Sequence, residues 1–259
     1  MQIKRGLIET PEGYLHYREA GQGNALVLLH QVPLSSLEFS EVLPALARQR
    51  RVIALDLPGY GCSDTPPRGL TLADYAAAVI RLFDELQLEY ADLLGTHTGA
   101  AIANAVAAQS PERVRRLILN GAPAWQQWAQ RYEMIARCQP LELDAEGASI
   151  KEQWERLRHD TDDAKLIRRF LREKLKAGAV WYAGDVASFT HDFIADFVRA
   201  TAPTLLLQGS RDRLADLSEP LQRLRPDVRE TMIAGGSGWL AWEMPERFVE
   251  EVERFLDSA

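Results

Sequence analysis

The stretch Asp92-Leu93-Leu94-Gly95-Thr96-His97-Thr98-Gly99-Ala100-Ala101 constrains the fold more than any other part of the chain. An apolar run too short for a helix enters a Gly-x-His-x-Gly turn, and an alanine-rich segment leaves it. Small residues two before and two after the centre suit a very sharp strand-to-helix turn. The central residue there is strained, and its neighbours touch other backbone. His97 holds the centre, so its ring is expected at the top of a sheet, above the positive end of the following helix.

The rest of the chain repeats this alternation. Short apolar runs at 25–29, 51–55, 91–94, 114–119, 204–207 and 228–233 read as strands, and Tyr14 to Arg18 alternates as a half-exposed strand before the Gly21-Gln22-Gly23 turn. Leu72, Tyr75, Ala76, Val79, Leu82, Phe83 and Leu86 recur at helical spacing behind a Thr71 cap. Another helix starts near Thr98, and Phe248, Val249, Val252, Phe255 and Leu256 form the stripe of a closing helix. Strands alternating with helices predict an α/β fold, a mostly parallel central sheet with helices on both faces. Residues 122–200 break the pattern; they are charged, Trp-containing and helical, as in Leu166, Ile167, Phe170 and Leu171. They read as a helical cap inserted into a core made of residues 1–121 and 201–259. No internal repeat or low-complexity tract interrupts the chain.

Composition narrows the function classes. With 46% hydrophobic and 26% charged residues in 259, the chain suits one large core, or a core plus an insertion. A net charge of -7 from scattered residues argues against a nucleic-acid partner. No apolar run approaches the roughly 20 residues of a membrane span, and Met1 to Gly6 lacks a signal-like stretch, so a soluble, cytoplasmic protein is expected. Cys62 and Cys138 read as two reduced thiols. No metal cluster, phosphate loop or G-x-G-x-x-G motif is visible, so no cofactor and no metal are expected. The expected partner is a small-molecule substrate, and a homodimer is admitted.

Several segments resemble the α/β-hydrolase family in the family's order. Leu28-Leu29-His30-Gln31-Val32-Pro33 resembles its His-Gly-x-Pro loop, and Asp56-Leu57-Pro58-Gly59-Tyr60-Gly61-Cys62-Ser63-Asp64 resembles its D-x-P-G-x-G-x-S loop. Gln208-Gly209-Ser210-Arg211-Asp212 looks like the loop carrying the triad acid, and the segment from Gly235 to Glu246 resembles the G-x-G-H region with its downstream E-x-P-E. The resemblance implies the α/β-hydrolase fold, covers nearly the whole chain outside the insertion, and makes the departures from pattern informative. His97 stands where the family keeps its serine, Gly238 where it keeps its histidine, and only the acid, Asp212, remains. Gln31 replaces the usual loop glycine and adds an amide side chain near the oxyanion site.

A serine triad works because the histidine reaches both nucleophile and acid. With that ring gone, the longer His97 side chain is expected to point into the space at Gly238 and meet Asp212, directly or through one water. Such a dyad is a general base for water or for an acidic substrate, and the amides of Val32 and Thr98 remain as an oxyanion hole. Hydrolysis by activated water and lyase or isomerase chemistry both follow from it. Covalent catalysis by His97 ranks lower, for want of a second base; Thr96 and Thr98 are expected to face away from substrate, and Ser237 reads as loop chemistry. Gln31, Trp125, Trp128, Trp181, Gly238 and Trp239 are expected to line a site for an apolar or aromatic molecule with few polar anchors. Tyr182, Phe189 and Phe193 fall in the insertion as well, mostly as lid core, and Trp242 flanks the Gly238 slot with Trp239. The competing reading is a catalytically degenerate ligand-binding or interaction protein that keeps the pocket.

Overall fold

The computed structural model describes residues 2–258. Its strands are β1 (Lys4–Thr10), β2 (Gly13–Ala20), β3 (Ala25–Leu29), β4 (Arg51–Leu55), β5 (Ala91–Thr96), β6 (Val114–Asn120), β7 (Thr204–Gly209) and β8 (Arg229–Ile233). They form one 8-stranded sheet in the order β1-β2-β4-β3-β5-β6-β7-β8. The β1–β2 and β2–β4 pairs are antiparallel, and every later pair is parallel. β3, β5 and β7 are buried along their whole length. Helices cover both faces of a parallel sheet, so such strands carry unbroken apolar runs.

The helices are α1 (Leu43–Leu46), α2 (Leu72–Glu85), α3 (Thr98–Gln109), α4 (Trp128–Ala136), α5 (Ala148–Leu157), α6 (Ala164–Ala177), α7 (Ala183–Thr190), α8 (Phe193–Arg199), α9 (Ser218–Leu224), α10 (Leu240–Glu243) and α11 (Pro245–Leu256). α2 begins with the expected Thr71 cap, extended to a reciprocal box: Asp74 N donates to Thr71 Oγ1 at 3.2 Å and Thr71 N donates to Asp74 Oδ2 at 2.8 Å. α2 and α3 pack on one face of the sheet, through residues such as Tyr75, Val79, Ile102 and Val106. α1 and α11 cover the other through Leu43, Leu46, Phe248 and Val252. No helix among the described residues is long and apolar enough to cross a membrane.

Helices α4 to α8 lie between β6 and β7, where the sequence breaks its alternation. α8 packs Phe193 and Phe197 into the same cluster as α3, while Leu157, Leu166, Ile167 and Leu171 of α5 and α6 pack with Leu34, Trp239 and Trp242. Polar ties fasten the segment as well. Ser35 Oγ donates to Glu173 Oε2 at 2.7 Å, and Arg131 donates from Nε to Trp125 O at 2.8 Å and from Nη1 to His191 O at 2.9 Å.

Candidate active site

β5 ends at Thr96 and α3 begins at Thr98, and His97 makes the corner with φ 48° and ψ -109°. A non-glycine residue there costs of order 1–3 kcal/mol and persists only where the surroundings enforce it. The backbone does enforce it: His97 N donates to Asn120 O at 2.9 Å, and His97 O accepts from Ala100 N at 2.8 Å. The flanking glycines are dictated by contact. A Cβ at Gly95 would lie 2.1 Å from Gly99 O, and one at Gly99 would lie 2.2 Å from Leu29 O.

The ring leaves this corner toward the loop after β7, where Nε2 lies 2.8 Å from Asp212 Oδ2. Two glycines make room for it. A Cβ at Gly238 would meet ring Cε1 at 2.8 Å and Nε2 at 2.9 Å; one at Gly121 would meet Cδ2 at 2.4 Å and Asp212 Oδ2 at 2.7 Å. The Asp212 side chain is 1% exposed, and its Oδ1 accepts from Leu214 N at 2.9 Å. Because Asp212 takes the proton on Nε2, the other nitrogen, Nδ1, is left as an acceptor. No described protein group bonds it, and the ring borders a cavity. Burial works against charge on the ring, but the Asp212 carboxylate outweighs it and raises the His97 pKa above its ordinary 6.5. Asp212 is likewise penalised by burial, and the His97 charge and hydrogen bond hold it below its ordinary 3.8.

Val32 and Thr98 both border the cavity, and no described protein acceptor takes either backbone amide. Thr98 departs from expectation. Its side chain turns to the cavity wall, where Oγ1 donates to Asp185 Oδ1 at 2.5 Å, because α7 lies directly above the start of α3. Thr96 does face away, fully buried, its hydroxyl accepting from Asn120 Nδ2 at 3.3 Å. Gln31 borders the cavity, but its side-chain N–H groups are occupied by Glu38 Oε1 at 2.9 Å and Gly238 O at 3.0 Å. It therefore braces the Gly238 loop. Glu38 also accepts from Gln31 N at 2.9 Å, and burial pushes its pKa up to about 7.

The cavity holds about 310 Å³. Trp125, Trp181, Trp239, Phe170 and Phe189 border it, as does Gly238. Trp128 does not: the first residue of α4 turns outward, 62% exposed, with the Arg131 guanidinium 5.2 Å above its ring. Phe193 packs in the core. The expectation of few polar anchors is corrected too, since Asp185, Lys174, Arg137 and Arg156 share the wall with the aromatic residues. Burial raises the Asp185 pKa to about 6 and lowers that of Lys174 to about 8. These four lie on the helical segment, where sequence shows only an ordinary charged stripe.

A sheet parallel but for β2, which runs against its neighbours near one edge, with a strained corner after β5 and an acid loop after β7, defines a hydrolase-type scaffold. The chain belongs to the α/β-hydrolase fold family, whose model matches residues 24–245. It is 23% identical over 255 residues to 2-(acetamidomethylene)succinate hydrolase of Mesorhizobium japonicum, a match covering 94% of this chain and 92% of that one. It is 37% identical over 108 residues to 2-hydroxymuconate semialdehyde hydrolase of Pseudomonas sp. strain CF600, spanning 40% of this chain and only 38% of that protein. A solved hydrolase from Pseudomonas aeruginosa PA01 superposes with a TM-score of 0.83 at 26% identity, covering 98% of both chains. These relatives are hydrolases.

Proposed function

We propose that this protein is a hydrolase of a small molecule that uses the His97–Asp212 pair as a general base, with no serine nucleophile. The observation that carries the reading is the 2.8 Å contact between His97 Nε2 and Asp212 at a corner whose central residue has no hydroxyl. Asp212 fixes the tautomer, so the Nδ1 lone pair takes a proton from water as the water oxygen bonds to the substrate's carbonyl carbon. Negative charge moves to the carbonyl oxygen, where the amides of Val32 and Thr98 receive it. The imidazolium then returns the proton to the leaving group as its bond to carbon breaks. Helices α4 to α7 act as a cap that keeps bulk water from this sequence. The hydrolase names of the relatives favour hydrolysis over lyase or isomerase use of the same base.

The test joins a chemical probe with turnover. A fluorophosphonate, which reacts with activated serines, should leave the protein unlabelled. A panel of small esters, thioesters and lactones should yield at least one substrate whose turnover disappears in the His97→Ala variant. Rapid stoichiometric labelling of one serine, or turnover indifferent to His97→Ala, overturns the reading.

A further inference from the structure

Charge in the cavity wall is out of balance on the side formed by the helical segment. Of the cations that border the cavity, Arg213 is paired with Asp160 at 2.9 Å, and Arg211 donates to Gly235 O at 2.8 Å with Glu243 at 3.8 Å. Lys174, Arg137 and Arg156 have no carboxylate within 4.0 Å among the described residues. Lys174 on α6 is the informative one, because it is 4% exposed. Its Nζ donates to the neutral amide Gln153 Oε1 at 2.7 Å and lies 3.6 Å from the Trp181 ring centroid. A buried ammonium with a neutral acceptor and an aromatic face is under-compensated, since desolvation of a charge is recovered in full only by an opposite charge with good geometry. Arg156 on α5 lies near enough to disfavour its charge further, and Asp185 on α7 is the carboxylate that offsets it at longer range. Asp185 is itself engaged by Thr98 Oγ1.

We infer that Lys174, with Arg137 and Arg156, forms a subsite for a carboxylate of the substrate, the apolar remainder lying along Trp181 and Trp125 toward His97. This rests on the proposed function only for which end of the molecule reacts; recognition of the carboxylate stands on the wall itself. The substrate class is accordingly a small organic acid with an apolar or aromatic body. A carboxylate there supplies the opposite charge that Lys174 lacks, and burial of the Lys174 ammonium strengthens the charge-assisted hydrogen bond between them.

The experiment is calorimetric titration of the full chain with 3-phenylpropanoate and, separately, with the neutral 3-phenylpropanamide. The acid should bind about 10- to 100-fold more tightly than the amide, as one buried charge-assisted contact supplies. Lys174→Met should abolish that preference, and Lys174→Arg should retain most of it. The Arg137→Ala/Arg156→Ala double variant, altered only at exposed positions, should reduce it if Lys174→Met folds poorly. His97→Ala should leave the preference intact, so a failed base and a failed subsite give different results. Equal binding of acid and amide, a preference that survives both the Lys174→Met and the double arginine variants, or no binding of the acid up to about 10 mM overturns the proposal.

Discussion

His97 combines a strained backbone with an ionisable ring, and each explains part of the other. At φ 48° the residue is held by its own amide and carbonyl bonds, and from that corner the ring reaches Asp212. As the proposed base, His97 must be neutral to act. Since Asp212 raises the pKa of His97 against the effect of burial, kcat/KM is expected to rise with pH through a value above 6.5. Stability runs the other way for this group: the pairing contributes fully below about 6.5, the unfolded value, and is lost as pH rises through the folded one. The contribution of Asp212 is present above 3.8 and lost as pH falls through its depressed value, so both groups stabilise the fold between those limits. Glu38, near 7, and Asp185, near 6, change charge in the same range, so a variant must assign the kinetic limb. Asp212→Asn should move it to lower pH and cut the maximum rate by about 10²- to 10⁴-fold. A limb that stays in place in that variant belongs to another group.

At the scale of elements, glycines decide where the ring can sit, and they offer a matched test. An alanine at Gly121, at φ +63, would bring its Cβ 2.4 Å from the His97 ring; one at Gly235, at φ +78, would meet nothing within 4 Å. Both substitutions carry the backbone penalty of a left-handed residue, of order 1 kcal/mol, but Gly121→Ala alone pushes the ring off Asp212. Gly235→Ala is expected to lower Tm by a few degrees with turnover retained, and Gly121→Ala to lose about 100-fold or more in kcat/KM. Equal activity in the two would show that ring placement does not matter. How far sequence reaches also shows at this scale. The runs at 25–29 and 51–55 match β3 and β4 residue for residue, because strands buried on both faces have no choice but to be apolar. β1 was not foreseen, since an edge strand with one buried residue in seven carries no such signal. The contact of His97 with Asp212 was legible from a residue swapped at two positions of one pattern. Lys174 and Asp185 were not, because a charge on an amphipathic helix looks the same whether it faces water or a cavity.

In the whole molecule the sheet sets the position of His97 and Asp212, and the helical segment completes the cavity, so the joint between these parts governs what reaches the His97–Asp212 pair. Tyr60, in the loop after β4, is 2% exposed and bolts that joint: Gly184 N donates to its hydroxyl at 2.9 Å, and the hydroxyl donates to Trp181 O at 3.1 Å. The approach is close here, for a Cβ on Gly184 would lie 2.7 Å from Val32 Cγ2 and 3.5 Å from Thr98 Cγ2. Tyr60→Phe keeps the ring and removes both bonds, leaving the buried Gly184 donor and the half-buried Trp181 acceptor unmatched at a cost of roughly 1–3 kcal/mol. That cost falls on the docking of residues 181–190, while the β3, β5 and β6 ladders are untouched. Hydrogen exchange should therefore quicken across 181–190 by about tenfold or more with no change in β5, and KM should rise more than kcat falls, because the lost contacts hold the wall and do not touch the reacting atoms. Uniformly faster exchange in the sheet as well would mean that Tyr60 supports the fold as a unit. Unchanged exchange in 181–190 would mean that the apolar contacts of α8 with α3 hold the segment down without it.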